Sequence, residues 1–282
     1  MLRDGYPWAG RLRDGTAAVP ARVLGRRAAV VGRPAGVRRF YDPRLTRRRA
    51  FPMPIQLVLF GPGTVHSLDD AEHHHRKAMF LEVLTPDAVA ALGRRAEQEW
   101  ESSVRRWAGR DRVVLFVAFD GKARHKHPDW RRRIADGDEP ALAAFVQEVR
   151  RLYPFVPVLA APTRTAQDVL GVPLPRGGLV VLDVHGTDHD PAQWPDPDRF
   201  DPDRFLEEGV DLDALVPQGG GDAATRHRCP GEAVTLTMLA LATRVLARTP
   251  HTLPPQDLGY DLSRIPTRPR SGVVLELPGG AR

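Results

Sequence analysis

Gln218-Gly-Gly-Gly-Asp-Ala-Ala-Thr-Arg-His-Arg-Cys229-Pro-Gly231-Glu-Ala-Val234 is a glycine-rich approach that runs into an apolar helix, and it contains the only cysteine of the chain. A lone cysteine is ordinarily a small buried hydrophobe. The neighbours of Cys229 argue against that here. It stands at the start of a helix, behind Arg226, His227 and Arg228, where backbone N–H groups and positive charge hold the sulfur as an anion and suit it to ligate a metal. From Ala233 to Thr243 there is no charge, so the helix that follows is expected to be apolar nearly all round and buried.

The 282 residues suffice for one large domain or two modest ones. One cysteine excludes an internal disulfide. The first thirteen residues are charged throughout and do not look like a signal segment. The longest apolar run, Val113 to Phe119, is too short to span a bilayer. A soluble, cytoplasmic protein without a membrane span is the resulting expectation. Net charge is +6, with arginine clusters at 47–49 and 131–133. Aromatic residues are not interleaved with those clusters, however, as a single-strand stacking platform would require. Nucleic acid is therefore not an expected partner.

Outward from the cysteine, the pattern is mainly helical with a small β region, an α+β chain. Ala21–Leu24 and Ala28–Val31, joined by Gly25-Arg-Arg, predict a hairpin, and Pro34 opens a helical turn toward Phe40. Helices are expected over Asp70–Leu84 and Asp87–Trp107. Another is expected from an Asp138 cap to about Tyr153, where Pro154 stops it. Val158–Ala161, Val169–Val172 and Leu179–Val184 read as strands. Residues 186–232 read as a long loop, a length that usually carries function.

Two polar groupings stand out. Glu148 and Arg151 share a helix face beside the apolar Phe145 and Leu152. An exposed pair at that spacing stabilises little, whereas a buried one would need a further partner such as Arg204. His73, His74 and His75 point about 100° apart on a helix and cannot jointly chelate one ion. His73 and Lys77, four apart, share a face that suits an anion such as a carboxylate at the rim of a cofactor.

Together these residues resemble the haem-thiolate cytochrome P450 family. That family's ligand loop has His two before the cysteine and Gly two after, as at His227, Cys229 and Gly231. Its Glu-x-x-Arg helix matches Glu148 and Arg151, and its Pro-Glu-Arg-Phe segment matches Pro202-Asp-Arg204-Phe205 with Asp for Glu. The Phe-Gly-x-Gly approach is missing. The displaced Gly219–Gly221 run followed by His-Arg-Cys-Pro-Gly-Glu looks like the bacterial fatty-acid peroxygenase branch, as does Leu59-Phe60-Gly61 followed by Val65-His66 and the His73–Lys77 segment.

The resemblance implies haem b as cofactor, with Cys229 as axial ligand of its iron. It implies Arg47, His73, Lys77, Arg164 and His227 as contacts of the haem propionates, and Glu148, Arg151 and Arg204 as a structural charge triad. Phe60 and His66 would belong to a distal pocket, where His is associated with decarboxylation as well as hydroxylation. The implied enzyme is an oxidoreductase that hydroxylates or decarboxylates long-chain fatty acids with hydrogen peroxide and needs no redox protein partner. The alternatives are a ferredoxin-dependent monooxygenase, and an inactive haem-binding remnant or partial gene product.

The resemblance falls on one interrupted domain. Residues 1–116 would supply the N-terminal sheet and helices, and residues 117–282 the Glu-x-x-Arg helix, the ligand loop and the C-terminal part. Family members carry a long helical segment between those parts, including the distal helix over the haem and an arginine for the substrate carboxylate. No stretch here matches it. The expected fold is thus a P450 fold lacking much of its central helical segment.

Overall fold

A computed structural model describes residues 4–50, 61, 63–107, 110–115, 127–207, 209–211, 213–265, 267 and 269–278. These form two compact units interleaved in sequence, each drawing on both sides of position 116.

The first unit comprises residues 1–83, 154–198 and 211–230. Its sheet has the order β1 (Ala18–Val23), β2 (Arg26–Val31), β7 (Leu179–Asp183), β4 (Val158–Pro162). Strands β1 and β2 form the expected hairpin, with Ala18 opposite Val31. Strand β2 runs parallel to β7, and β4 is antiparallel to β7. Ala28–Val31 and all of β7 are buried, which is why these segments read as unbroken apolar runs rather than as alternation. Helix α1 (Trp8–Arg13) contributes Ala9 to one side of the core, and helix α2 (Arg33–Phe40) contributes Val37 and Phe40 to the other.

Residues 169–172 are a correction to the sequence reading. They are not one strand but the turn of a hairpin between β5 (Gln167–Val169) and β6 (Val172–Leu174). Leu170 and Gly171 at its tip both have positive φ, 53° and 86°, as a tight two-residue turn requires. At the C-terminal end of β7, the Asp183 carboxylate caps helix α7 (Val184–Asp188) through the Gly186 amide at 2.8 Å. It also takes the Arg13 guanidinium at 2.9 Å, with both side chains buried. The unit's remaining helix, α3 (Asp70–Val83), buries only His73 and Lys77 and leaves Met79, Phe80 and Val83 exposed.

The second unit comprises residues 84–153, 199–210 and 231–282. It contains α4 (Pro86–Trp107), β3 (Arg112–Leu115), α5 (Pro128–Ala135), α6 (Glu139–Leu152), α8 (Glu232–Arg248) and β8 (Val273–Glu276). Asp138 caps α6 as expected, accepting from the Ala141 amide at 2.9 Å. Leu142, Phe145 and Val149 of α6 pack with Trp130, Ile134 and Phe200. A second cluster joins Leu246, Val273 and Leu275 to Trp100 and Trp107. Strand β3 pairs antiparallel with β8.

Helix α8 departs from expectation. Only Leu241, Thr243, Leu246 and Ala247 are buried, and Val234–Ala240 are half-buried. Gly93 of α4 lets one face approach closely, since a Cβ there would lie 3.0 Å from Thr237 Cγ2. The rest of this all-apolar surface is only partly covered by the described residues. No described helix is long and apolar enough to cross a membrane.

Candidate functional site

The loop that ends at Cys229 is fixed within its unit from three directions. The Cys229 amide donates to Gln218 O at 3.0 Å, which folds the glycine run back beside the cysteine. Asp222 gathers the middle of the loop by accepting from the Ala224 and Thr225 amides and the Thr225 hydroxyl at 2.7–3.0 Å. Lys77 of α3 donates its ammonium to the Arg226 carbonyl at 3.0 Å and also to the Arg228 carbonyl.

Tyr41 fills the inside of the bend. A Cβ on Gly219 would lie 2.6 Å from its hydroxyl, and Gly219 and Gly221 have φ of 89° and 75°, so glycine is required on both counts. Burial raises the Tyr41 pKa and keeps the phenol protonated. Cys229 is a half-buried free thiol.

Beside this loop lies a cavity of about 340 Å³, lined by Tyr41, Leu45, Arg47, Asp69, His73, Arg164 and His227 among others. Cys229 does not line it. The cavity is therefore a flank of the ligand loop that mixes guanidinium and carboxylate groups, not the place of the sulfur. His73 and His227 lie against one another with ring centroids 3.9 Å apart. Desolvation is the first cause lowering both imidazole pKa values, for His73 to about 4, so the pair is neutral near pH 7. His74 and His75 are exposed, and the described residues contain no cluster of three or more His, Cys, Asp or Glu suited to a metal ion.

The sequence candidates divide on this wall. Arg47, His73, Arg164 and His227 come together around the cavity. Lys77 does not join them. It is 1% exposed and spends its charge on the ligand loop, because a buried ammonium must find acceptors and the loop carbonyls are nearest. Arg164 reaches the wall but directs both terminal nitrogens to Asp70, at 2.8 and 2.9 Å. His66 lies exposed on the short turn Val65–Ser67. Phe60 is outside the described residues.

Two acidic residues, Asp69 and Asp70, belong to this neighbourhood and were missed in the sequence. Their position at the start of α3 is the one signal that could have drawn attention to them.

Arg47 tests the donor set against a cofactor bearing carboxylates. Its guanidinium is 9% exposed and lies 4.2 Å over the Phe40 ring, and it donates to the Phe40 carbonyl at 3.3 Å. Desolvation lowers its pKa to about 10, yet it remains charged at neutral pH. A buried cation held mainly by a ring face and a carbonyl suits an anion placed in the cavity. The buried Arg47 guanidinium on this wall and the adjacent thiol loop therefore fit a group that combines a metal with carboxylates.

In the second unit, Glu148 and Arg151 form a fully buried two-point pair at 2.7 and 2.8 Å. Arg204 lies 3.4 Å from the same carboxylate, the Asp201 amide donates to it at 2.8 Å, and Arg151 reaches the Arg199 carbonyl at 3.3 Å. The exposed-pair alternative does not apply. Arg150, 6% exposed, meets Glu232 at 2.9 Å. This contact also went unforeseen in the sequence.

A small mixed sheet, a stapled cysteine loop and a buried Glu-x-x-Arg pair define a haem-thiolate type of protein. Comparison with known proteins agrees. The sequence profile of the cytochrome P450 family matches residues 137–258. Ferruginol synthase of Salvia miltiorrhiza is 34% identical over 112 residues, 38% of this chain and 22% of that protein. Putative cytochrome P450 132 of Mycobacterium bovis is 35% identical over 122 residues, 42% of this chain and 26% of that one. The matched regions thus span about a quarter of these curated relatives.

Solved structures align nearly end to end. A variant of cytochrome P450SP alpha aligns with a TM-score of 0.84 at 26% identity, covering 98% of this chain and 97% of that one. Cytochrome P450EX alpha with myristic acid gives 0.84 at 27%, covering 98% and 95%. A variant of cytochrome P450 OleT in complex with arachidonic acid gives 0.90 at 24%, covering 98% and 94%, a likeness of fold. The profile match and the solved structures agree with the cytochrome P450 family and with the branch that the motifs of this chain resemble. The family implies a haem iron cofactor.

Proposed function

We propose that the protein is a haem-thiolate oxidoreductase that binds haem b through Cys229 and uses hydrogen peroxide to hydroxylate or decarboxylate long-chain fatty acids without a redox protein partner. The observation that carries this reading is the Cys229 loop, fixed by Gln218, Asp222 and Lys77, beside a wall that holds the buried Arg47 guanidinium with Arg164, His73 and His227. Solved neighbours that hold myristic and arachidonic acids support the substrate class. When bound, such a haem supplies oxidising chemistry, because thiolate electron density favours O–O cleavage.

The chain's own residues have separable roles in this reading. Arg47 and His227 hold the cofactor's carboxylates, with His73 and Arg164 behind them. Lys77 sets the position of the ligand loop by holding its carbonyls. Glu148, Arg151 and Arg204 keep the second unit's core in register and touch no reacting atom. His66, exposed on its turn, would orient peroxide or the substrate carboxylate if the haem were bound on its side.

A second reading, a haem-binding remnant without turnover, draws support from residues 108–127. Four of them form β3, and the remainder is short for a helix that would cross a haem. One experiment decides between the two. The purified protein is loaded with haem, reduced under carbon monoxide for its Soret band, and then given peroxide with myristate. A red-shifted thiolate band with oxidised or chain-shortened product is expected. The thiolate band without product leaves the remnant, and an unchanged spectrum in Cys229→Ala overturns the axial assignment.

A further inference from the structure

Asp69, a carboxylate on the same wall as Arg47 and Arg164, has no role in the proposed function. It is 5% exposed. Its oxygens accept from the Arg47 amide at 2.8 and 3.0 Å, from the Arg48 amide at 3.2 Å, and from the Thr46 hydroxyl. His227 Nε2 stands 3.7 Å away, Arg164 Nη2 3.9 Å and Arg48 Nε 3.9 Å. Its own carbonyl accepts the His73 amide at 3.2 Å. Three separate segments therefore meet at this one side chain: 46–48, Arg164 and the loop before Cys229.

The next residue adds an independent sign of design. Asp70 adopts φ of 55°, a left-handed conformation that is unfavourable for a residue other than glycine. Both carboxylates line the cavity and approach Arg164, Asp70 with two contacts at 2.8 and 2.9 Å and Asp69 at 3.9 Å.

We propose that Asp69 is a positioning residue whose buried carboxylate spaces Arg47, Arg164 and His227 so that the wall is built before a carboxylate-bearing cofactor arrives. The inference rests on the haem reading and deepens it. A negative charge beside an anion site also repels the anion, so the two effects oppose each other. Geometry decides which one wins. The hydrogen bonds of Asp69 hold the Thr46 hydroxyl and the main chain of Arg47 and Arg48 rather than cationic side chains, so its removal releases the segment that carries Arg47. Charge-assisted hydrogen bonds of this kind are strong, and the Thr46 hydroxyl that Asp69 holds is itself the second acceptor of the Arg48 amide, at 3.2 Å.

The test uses haem and haem dimethyl ester, which differ only in whether the two carboxylates are free. Affinities are read from Soret titrations of the full-length protein. The parent is expected to prefer haem over the ester by about tenfold or more, the worth of one or two charge-assisted contacts. Asp69→Ala is expected to abolish most of that preference by weakening haem alone, with the circular dichroism of the cofactor-free protein unchanged. Asp69→Asn keeps one acceptor oxygen and should fall between the two. If the alanine variant does not fold, the asparagine variant decides, and a preference equal to the parent's overturns the proposal.

Equal weakening of haem and ester would mark a purely structural aspartate and overturn the inference. So would haem binding as tight as, or tighter than, the parent's in Asp69→Ala. Failure of the parent to take up haem with a thiolate spectrum would end both readings. A thiolate spectrum with an undiminished preference in the variants would end this one alone.

Discussion

At Gly219 two demands coincide, a φ of 89° and a Cβ position 2.6 Å from the Tyr41 hydroxyl. Gly219→Ala is therefore expected to destabilise the protein by about 1–3 kcal/mol, the combined order of a left-handed residue and a local clash. Tyr41→Phe in the same chain should recover the clash but not the backbone cost, a coupling that urea unfolding of the two single variants and the double variant would reveal. Full recovery would mean that φ costs nothing here.

His73 carries a pH dependence. Its folded pKa of about 4 lies below the ordinary value of 6.5, first through desolvation and then through His227, Lys77 and His74, against the opposing pull of Asp69. The unfolded chain binds the extra proton first as pH falls, so this contribution is complete above pH 6.5 and is lost progressively between 6.5 and 4. Unfolding curves across that window should show stability falling with pH, and His73→Gln should flatten the slope.

Among elements, α6 was read closely from sequence and α8 only partly. The Asp138 cap and the stripe Leu142, Phe145, Val149 are local features, and each governs its own turn of helix. The uncharged run of α8 correctly gave a helix, but apolarity states only what could be buried, and coverage depends on distant segments. Likewise the Leu170–Gly171 turn was hidden because Leu at a positive φ is not a turn signal. Asp69 and the Arg150–Glu232 contact were hidden for the same reason, since their partners lie far along the chain.

The Glu148–Arg151 pair makes the sharpest expectation at this scale. Both side chains are fully buried and Asp201 and Arg204 share the carboxylate. Glu148→Gln strands buried guanidinium groups and should cost about 3–5 kcal/mol, measured by denaturant unfolding of the second unit's tryptophan fluorescence. Arg204→Ala, which removes a contact at 3.4 Å and leaves the two-point pair intact, should cost less. An equal loss in both variants would contradict the assignment of the core role to Glu148 and Arg151.

For the whole molecule, the interleaving of units gives the haem reading a spatial consequence. The cysteine loop and the cationic wall both lie in the first unit, together with Tyr41, Arg47, Asp69, His73, Arg164 and His227. The second unit's cluster of Leu246, Val273, Leu275, Trp100 and Trp107 is built from β3, β8 and helix ends that carry none of those groups. A ligand that binds only the native state stabilises what it touches, by about 2.7 kcal/mol at a hundredfold excess over Kd. That gain reaches another region only as far as the two unfold together. Amide hydrogen exchange with and without haem would map it. Slowed exchange is expected at 41–48, 69–77 and 216–230, and exchange in β3 and β8 should be unchanged where local opening dominates. Protection confined to β3 and β8 would place the cofactor elsewhere, and uniform protection of both units would mean that they open as a single cooperative body.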